Sequence, residues 1–117
     1  MRAELKGLMS PDVPDLESWL PESDRFSLLL ELDIGPKNSE ESEIFYLDVY
    51  SPKALTALLQ DDPILFGRAM LIMDGFSYKR VEKFIERWCE RTHGKTWEEI
   101  SEKLSRFAGY EFLDYVK

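Results

Sequence analysis

The chain has only one cysteine and one histidine among its 117 residues, and it contains no long apolar run. The single cysteine, Cys89, cannot form an internal disulfide, which is typical of a reducing compartment. No stretch approaches the roughly 18 apolar residues of a membrane span, and the N-terminus lacks the apolar core of a secretory signal. These absences predict a cytoplasmic protein with no membrane partner.

Few side chains can support catalysis or metal binding. Cys89 and His93 are four residues apart on a predicted helix, a spacing that can place both at one metal ion or let the imidazole deprotonate the thiol. Two ligands are too few for a structural zinc site, and Cys89 falls on the apolar stripe of its helix. We therefore interpret Cys89 as an inert core residue and predict no metal and no cofactor.

Adjacent carboxylates and glycine-containing turns offer no better catalytic candidate. The acidic pairs Glu40-Glu41, Asp61-Asp62 and Glu98-Glu99 are sequence neighbours whose side chains point apart, so solvation or the helix dipole accounts for each pair. Gly35-Pro36-Lys37 and Gly67-Arg68 lack the glycine-rich strand-to-helix loop of a phosphate site. The sequence thus predicts that the protein is not an enzyme.

One predicted helix carries charges of both signs. Its basic residues are Lys79, Arg80, Lys83, Arg87 and Arg91. Glu82, Glu86 and Glu90, at i, i+4 spacing from one another, are interleaved with them, so we predict a salt-bridged face exposed to water rather than an anion-binding site.

Charge is distributed unevenly along the chain. The first 62 residues hold 14 acidic and 5 basic side chains, whereas residues 63–117 hold 9 acidic and 10 basic ones. The net charge of −8 therefore arises in the first half. This asymmetry argues against nucleic acid as a ligand and favours a basic partner protein, with plain solvation as the alternative. The candidate binding residues, from one loop and a predicted hairpin tip, are Asp12, Asp15, Glu17, Glu22, Asp24, Glu40, Glu41 and Glu43.

Period-2 alternation predicts strands early in the chain. Residues 3–9 and 26–34 alternate. The β-branched and aromatic residues of 44–50 predict a third strand, which is expected to form an antiparallel hairpin with the second, with a mobile acidic tip. In the first strand, Ala3, Leu5 and Gly7 share one predicted face. Residues 64–73 are apolar at nearly every position, which predicts a central strand covered on both faces.

Capping residues and apolar stripes predict three helices. Ser51-Pro52 begins a short helix that ends near residues 61–63. A long helix follows, with an inward stripe of Val81, Phe84, Ile85, Trp88 and Cys89. Thr96 begins the next helix, whose inward residues are expected to be Trp97, Ile100, Leu104 and Phe107.

The order of these elements predicts the fold class. Strands come early and the two long helices come late, which is typical of an α+β fold. We expect one domain over residues 1–117, with a mainly antiparallel sheet of about four strands covered on one face by two or three helices. Trp19 is expected to anchor the loop over residues 13–21. The aromatic segment 110–116 is expected to pack back on the body, and a short edge strand is one form that this packing can take.

An ordered set of short motifs runs through nearly the whole chain. In chain order they are Ala3-Glu4-Leu5-Lys6-Gly7-Leu8, Ser10-Pro11-Asp12, Phe26, Ile34-Gly35-Pro36-Lys37, Ser51-Pro52 with Leu55, Phe66-Gly67-Arg68 with Leu71-Ile72, Trp97-Glu98-Glu99-Ile100, and Tyr110-Glu111-Phe112 with Asp114-Tyr115. As a set, they resemble the immunity protein 8 family of bacterial polymorphic toxin systems. The segments 38–43 and 74–77 depart from the pattern.

The resemblance implies a small cytoplasmic protein that protects its producer by binding and blocking a cognate toxin domain. It carries over no catalytic residue. An acidic inhibitor suits a basic toxin such as a nuclease, whose active site must attract phosphates. Two alternatives remain open: a small enzyme built around Cys89, His93 or a carboxylate pair, and a structural or regulatory adaptor that self-associates or binds another basic protein. We expect a monomer or a weak dimer.

Overall fold

The computed structural model describes residues 1–111 and contains one mixed sheet and three helices. The strands are β1 (Ala3–Met9), β2 (Ser27–Pro36), β3 (Glu43–Tyr50), β4 (Met70–Ile72) and β5 (Gly109–Tyr110). The helices are α1 (Pro52–Asp61), α2 (Tyr78–Glu90) and α3 (Trp97–Ser105). The predicted α+β class with a mostly antiparallel sheet is confirmed.

The hairpin of β2 and β3 is the centre of the sheet. The two strands pair antiparallel, as predicted, with a register that runs from Ser27 opposite Tyr50 to Ile34 opposite Glu43. Strand β1 pairs antiparallel with the other edge of β2. The free edge of β3 is shared by β4, which is parallel to it, and by β5, which is antiparallel.

One face of the sheet forms the core with α2 and α3. The buried side chains of β2 and β3 are Leu28, Leu30, Leu32, Ile34, Phe45, Leu47 and Val49. They belong to one apolar cluster with the helix residues Val81, Ile85, Cys89, Ile100 and Leu104. Helix α1 contributes no buried residue, so α2 and α3 cover the sheet.

The predicted central strand over residues 64–73 is wrong. Strand β4 spans only Met70–Ile72 and lies at the edge of the sheet. Ile64 is 86% exposed, Phe66 is 95% exposed, and Ala69 has a left-handed backbone with a φ of 61°. Apolar content without alternation does not distinguish a buried strand from an exposed loop. The apolar residues before β4 therefore lie on the surface.

Two aromatic side chains predicted to face inward are also exposed. Phe84 is 59% exposed because Val81, Ile85 and Cys89 are the residues of α2 that face the sheet. Phe107 is 64% exposed because α3 ends at Ser105, so Phe107 lies in the turn after the helix and not on its buried stripe.

Strand β1 and the end of the chain differ from expectation in detail. The register shifts between Leu5 opposite Ile34 and Gly7 opposite Asp33, so Lys6 forms a bulge. Leu5 and Leu8, rather than Leu5 and Gly7, consequently pack against the core. The segment 110–116 was expected to pack back on the body, and its first residue, Tyr110, lies in β5 of the sheet. Residues 112–116 lie outside the described residues.

Candidate protein-binding face

The side of the sheet opposite the core carries a row of acidic and aromatic side chains. Because side chains alternate along a strand, Leu29, Glu31 and Asp33 of β2 point away from the buried Leu30 and Leu32. Tyr46 and Asp48 of β3 lie on the same side, since Glu31 pairs with Tyr46 and Leu29 with Asp48. We call Leu29, Glu31, Asp33, Tyr46 and Asp48 the open face.

The carboxylates of the open face have no cationic partner within residues 1–111: the ion pairs described there involve neither Glu31, Asp33 nor Asp48. Gly7 lies opposite Asp33, and a Cβ added at Gly7 would come within 3.1 Å of Asp33 Oδ2. The carboxylate of Asp33 therefore extends across β1. The open face presents three negative charges that no described residue neutralises by an ion pair.

Asp12 joins the open face from the loop after β1. The backbone N–H of Leu29 donates a hydrogen bond to Asp12 Oδ2 at 2.9 Å. Strand β1 pairs with β2 only as far as Met9 opposite Glu31, so Asp12 satisfies a strand donor that β1 leaves unpaired. Asp12 and Asp48 line one recess of about 150 Å³.

The pKa values of two open-face groups reflect this crowding. Although Asp48 is exposed, partial loss of hydration raises the pKa of its carboxyl group, and the charge of Asp12 raises it further. Burial likewise raises the pKa of Tyr46, with added repulsion from Glu111 and Glu31. Negative charge at this face therefore carries a cost in the isolated protein, which a bound cation would relieve.

The acidic loop before β2 is fixed to the body but exposes its carboxylates. Trp19 packs against Phe26 and Phe76, with ring centroids 6.2 and 5.0 Å apart, so the predicted anchoring role of Trp19 is confirmed. Asp15 accepts a 2.5 Å hydrogen bond from Ser18 Oγ. Glu17 and Glu22, from the same predicted set, are exposed.

Asp24 differs from its neighbours because it has a cationic partner. Its carboxylate lies 2.8 Å from Lys53 Nζ, with both side chains exposed. The hydrogen bond from Lys53 lowers the pKa of Asp24. Part of its charge is therefore screened from any partner.

The acidic hairpin tip lies at the other end of β2 from this loop. Ten residues of strand separate them, a distance of roughly 30 Å. Glu40 and Glu41 are exposed at the tip. Glu43 is half-buried, and its carboxylate accepts hydrogen bonds from Trp97 Nε1 and Tyr110 Oη. The fold thus separates the two predicted acidic segments, and the open face lies between them.

Sequence reasoning missed the three carboxylates on the strands. The binding residues predicted from the sequence include none of Glu31, Asp33 and Asp48. The signal was present, since Glu31 and Asp33 are two residues apart and must share a face. Their proximity to Asp48 depends on the register between β2 and β3, which the sequence pattern alone does not give.

The thiol that might have supported catalysis is buried. Cys89 is in the core, and loss of hydration raises its pKa to about 12. His93 is exposed outside α2, where its backbone forms an isolated bridge with Arg2. The part of the chain that the structure describes contains no group of three or more His, Cys, Asp or Glu residues able to hold a metal ion.

Comparison with protein families decides what kind of protein carries this face. The family model described as immunity protein 8 matches residues 3–115. The chain belongs to the immunity protein 8 family. Membership supports an immunity role and implies a cognate toxin as partner of this family member. Immunity proteins are generally not catalytic, which fits the expectation that the chain is not an enzyme.

No curated protein and no solved structure matches this family member significantly. Within residues 1–111, no helix is both long enough and apolar enough to cross a membrane.

Proposed function

We propose that this chain neutralises its cognate toxin by direct binding, and that the open face together with Asp12 forms the centre of the interface. The observation that carries the proposal is the set of three carboxylates on the sheet without ion-pair partners among the described residues. A basic toxin surface would supply the missing cations. Tyr46 adds an aromatic side chain of the type that is enriched at protein interfaces.

The size of the open face suggests a role for the flanking acidic segments. The whole side of the sheet that carries the open face, over β1, β2 and β3, measures about 400 Å², since strands lie roughly 4.8 Å apart and β2 is roughly 30 Å long. A stable interface buries about 800 Å² on each partner. The exposed loop residues Asp15, Glu17 and Glu22 at one end and Glu40 and Glu41 at the other can supply the remainder. Glu43 and Asp24 have internal partners and contribute less.

The charge of the interface favours a toxin that acts on nucleic acid. A nuclease must present lysine and arginine side chains to attract phosphates. The open face offers carboxylates in place of those phosphates, so it can block the substrate path by occupying the same cations. Charge complementarity of this kind also speeds association. In this proposal the chain acts in the cytoplasm of the cell that makes the toxin.

Co-expression with the toxin domain encoded beside its gene tests the function. Cells carrying the toxin should survive when this chain is present, and the two proteins should co-purify at low salt but separate as the salt concentration rises. Survival without co-purification would contradict direct binding. Failure of both would favour the alternative of a regulatory adaptor with another basic partner.

A salt-insensitive complex would retain the immunity role and refute the acidic interface.

A further inference from the structure

An apolar groove lies on the helix side of the sheet, opposite the open face. It has a volume of about 510 Å³ and lies between α2, the segment that leads into β4, and the turn after α3. This volume is within the roughly 300–1,000 Å³ range of small-ligand sites. Its lining includes Leu47, Leu71 and Trp88, and the exposed rings of Phe84 and Phe107 border it.

Arginine side chains surround this apolar lining. Arg87 of α2, Arg91 directly after α2 and Arg106 directly after α3 all contribute to the groove. Arg68 lines it as well, and its guanidinium donates hydrogen bonds to the carbonyl oxygens of Ser105 and Ala108. The groove therefore combines an apolar lining with positive charge, the reverse of the open face.

The arginines of α2 do not form the predicted salt-bridged face. Among residues 1–111, the described ion pairs include none from α2, although Glu82, Glu86 and Glu90 each stand three residues after a basic side chain. The i, i+4 pair that does form joins Glu102 and Arg106 at 3.1 Å, with both side chains exposed. Arg87 and Arg91 are exposed at the rim. Their charges are thus available to an anionic ligand.

We propose that this groove binds an acidic amphipathic segment of a partner protein. Apolar side chains of the segment, spaced at i, i+3, i+4 and i+7, would contact Trp88, Phe84 and Phe107, and its carboxylates would pair with Arg87 and Arg91. The inference does not depend on the proposed toxin interface, which lies on the opposite side of the sheet.

Two other occupants fit the observations less well. A second copy of this chain would bring together two molecules of net charge −8, which repel each other. A flat membrane surface would not reach the lining, because Leu47 is buried at 4% exposure beneath the rim. A narrow acidic segment satisfies both the charge and the concave shape.

Fluorescence anisotropy with a designed peptide tests the proposal. The probe is a short fluorescein-labelled helix-forming peptide with leucine at i, i+3, i+4 and i+7 and glutamate on the other face. Arg87→Glu combined with Arg91→Glu should weaken its binding at least about tenfold. The charge-matched control, Lys79→Glu with Lys83→Glu, changes exposed residues of the same helix that do not line the groove, and should change binding less than about threefold.

Two further measurements separate this groove from general charge attraction. Phe84→Ser with Phe107→Ser should also weaken binding at least about tenfold, because it removes the apolar borders of the groove. A peptide of the same length made only of glutamate should bind at least about tenfold more weakly than the probe. Circular dichroism of each variant verifies that the fold is intact.

Several results would overturn the proposal. Equal binding of a peptide with lysine in place of glutamate would exclude charge recognition. Sedimentation that shows a dimer lost on Arg87→Glu with Arg91→Glu would identify a second copy as the occupant. Probe binding only after removal of residues 112–117 would assign the groove to the chain's own end. Tight binding to anionic vesicles, with none to the probe, would assign it to lipid.

Discussion

Neutralising the three carboxylates of the open face should weaken toxin binding without unfolding the protein. The variant is Glu31→Gln with Asp33→Asn and Asp48→Asn. Each change keeps the size of the side chain and removes only its charge. None of the three side chains is buried, and none has an ion pair to lose within residues 1–111. The substitutions should therefore act on binding rather than on folding.

The expected loss follows from the position of these carboxylates. Ion pairs between exposed side chains contribute about 0.2–1 kcal/mol each, whereas close pairs in a protein interface contribute about 1.5 kcal/mol or more. The open face is partly exposed before binding, so we take about 0.7 kcal/mol for each carboxylate. Three of them give about 2 kcal/mol, which is roughly a 30-fold increase in Kd.

The assay is calorimetric titration of a catalytically inactive toxin domain at low and at physiological salt. Raising the salt should weaken wild-type binding more than binding of the triple variant, since the variant has fewer charges to screen. A matched control carries Asp61→Asn, Glu86→Gln and Glu90→Gln. These residues are exposed on α1 and α2, so the control has the same net charge but an unchanged open face.

Two outcomes would refute the reasoning. If the triple variant binds within about threefold of wild type, or roughly 0.7 kcal/mol, the open face is not the interface. If the control loses as much affinity as the triple variant, net charge alone governs association and the position of the carboxylates is irrelevant.

Three further predictions concern single residues. Glu43→Gln should lower the free energy of unfolding, measured in denaturant, by about 1–2 kcal/mol, because Trp97 and Tyr110 donate to this carboxylate. Toxin affinity should change less than in the open-face variant, and equal stability would contradict the structural role of Glu43. Asp48 binds a proton more readily folded than unfolded, so its stabilising contribution is present in acid and is lost as pH rises through its raised pKa. Asp48→Asn should therefore raise Tm at neutral pH, with a gain of less than about 0.5 kcal/mol in the free energy of unfolding, and its stability should match that of wild type below pH 3.8. A gain in stability at every pH would refute the titration argument. Cys89 should resist thiol reagents in the native protein at mildly alkaline pH and react once denatured, because burial raises its pKa to about 12; rapid native labelling would disprove its burial.

Local sequence signals were sufficient for several elements. Ser51 Oγ accepts from Ala54 N–H at 3.2 Å, and Thr96 Oγ1 accepts from Glu99 N–H at 3.2 Å, so both helices begin where the capping residues predict. The hairpin of β2 and β3 follows from alternation in β2 and from the β-branched and aromatic residues of β3. These features depend on neighbours within a few residues, which a linear sequence displays directly.

Signals without a local period were not sufficient. The apolar segment 64–73 looks like a buried strand, yet only Met70–Ile72 pairs with β3. Phe84 and Phe107 satisfy a helical stripe but border a groove. Hydrophobicity favours burial wherever a surface is available, and only the packed fold decides which surfaces those are.

The sequence by itself determined the acidic character of the first half, the α+β class and the membership of the immunity protein 8 family, because charge, periodicity and motif order are properties of the chain. The tertiary structure decided where the charges lie. Strand register placed Glu31 beside Tyr46 and Leu29 beside Asp48, and ten residues of β2 held the two acidic segments apart. Which carboxylates share a surface depends on hydrogen bonds between distant strands, and these form only when the chain folds.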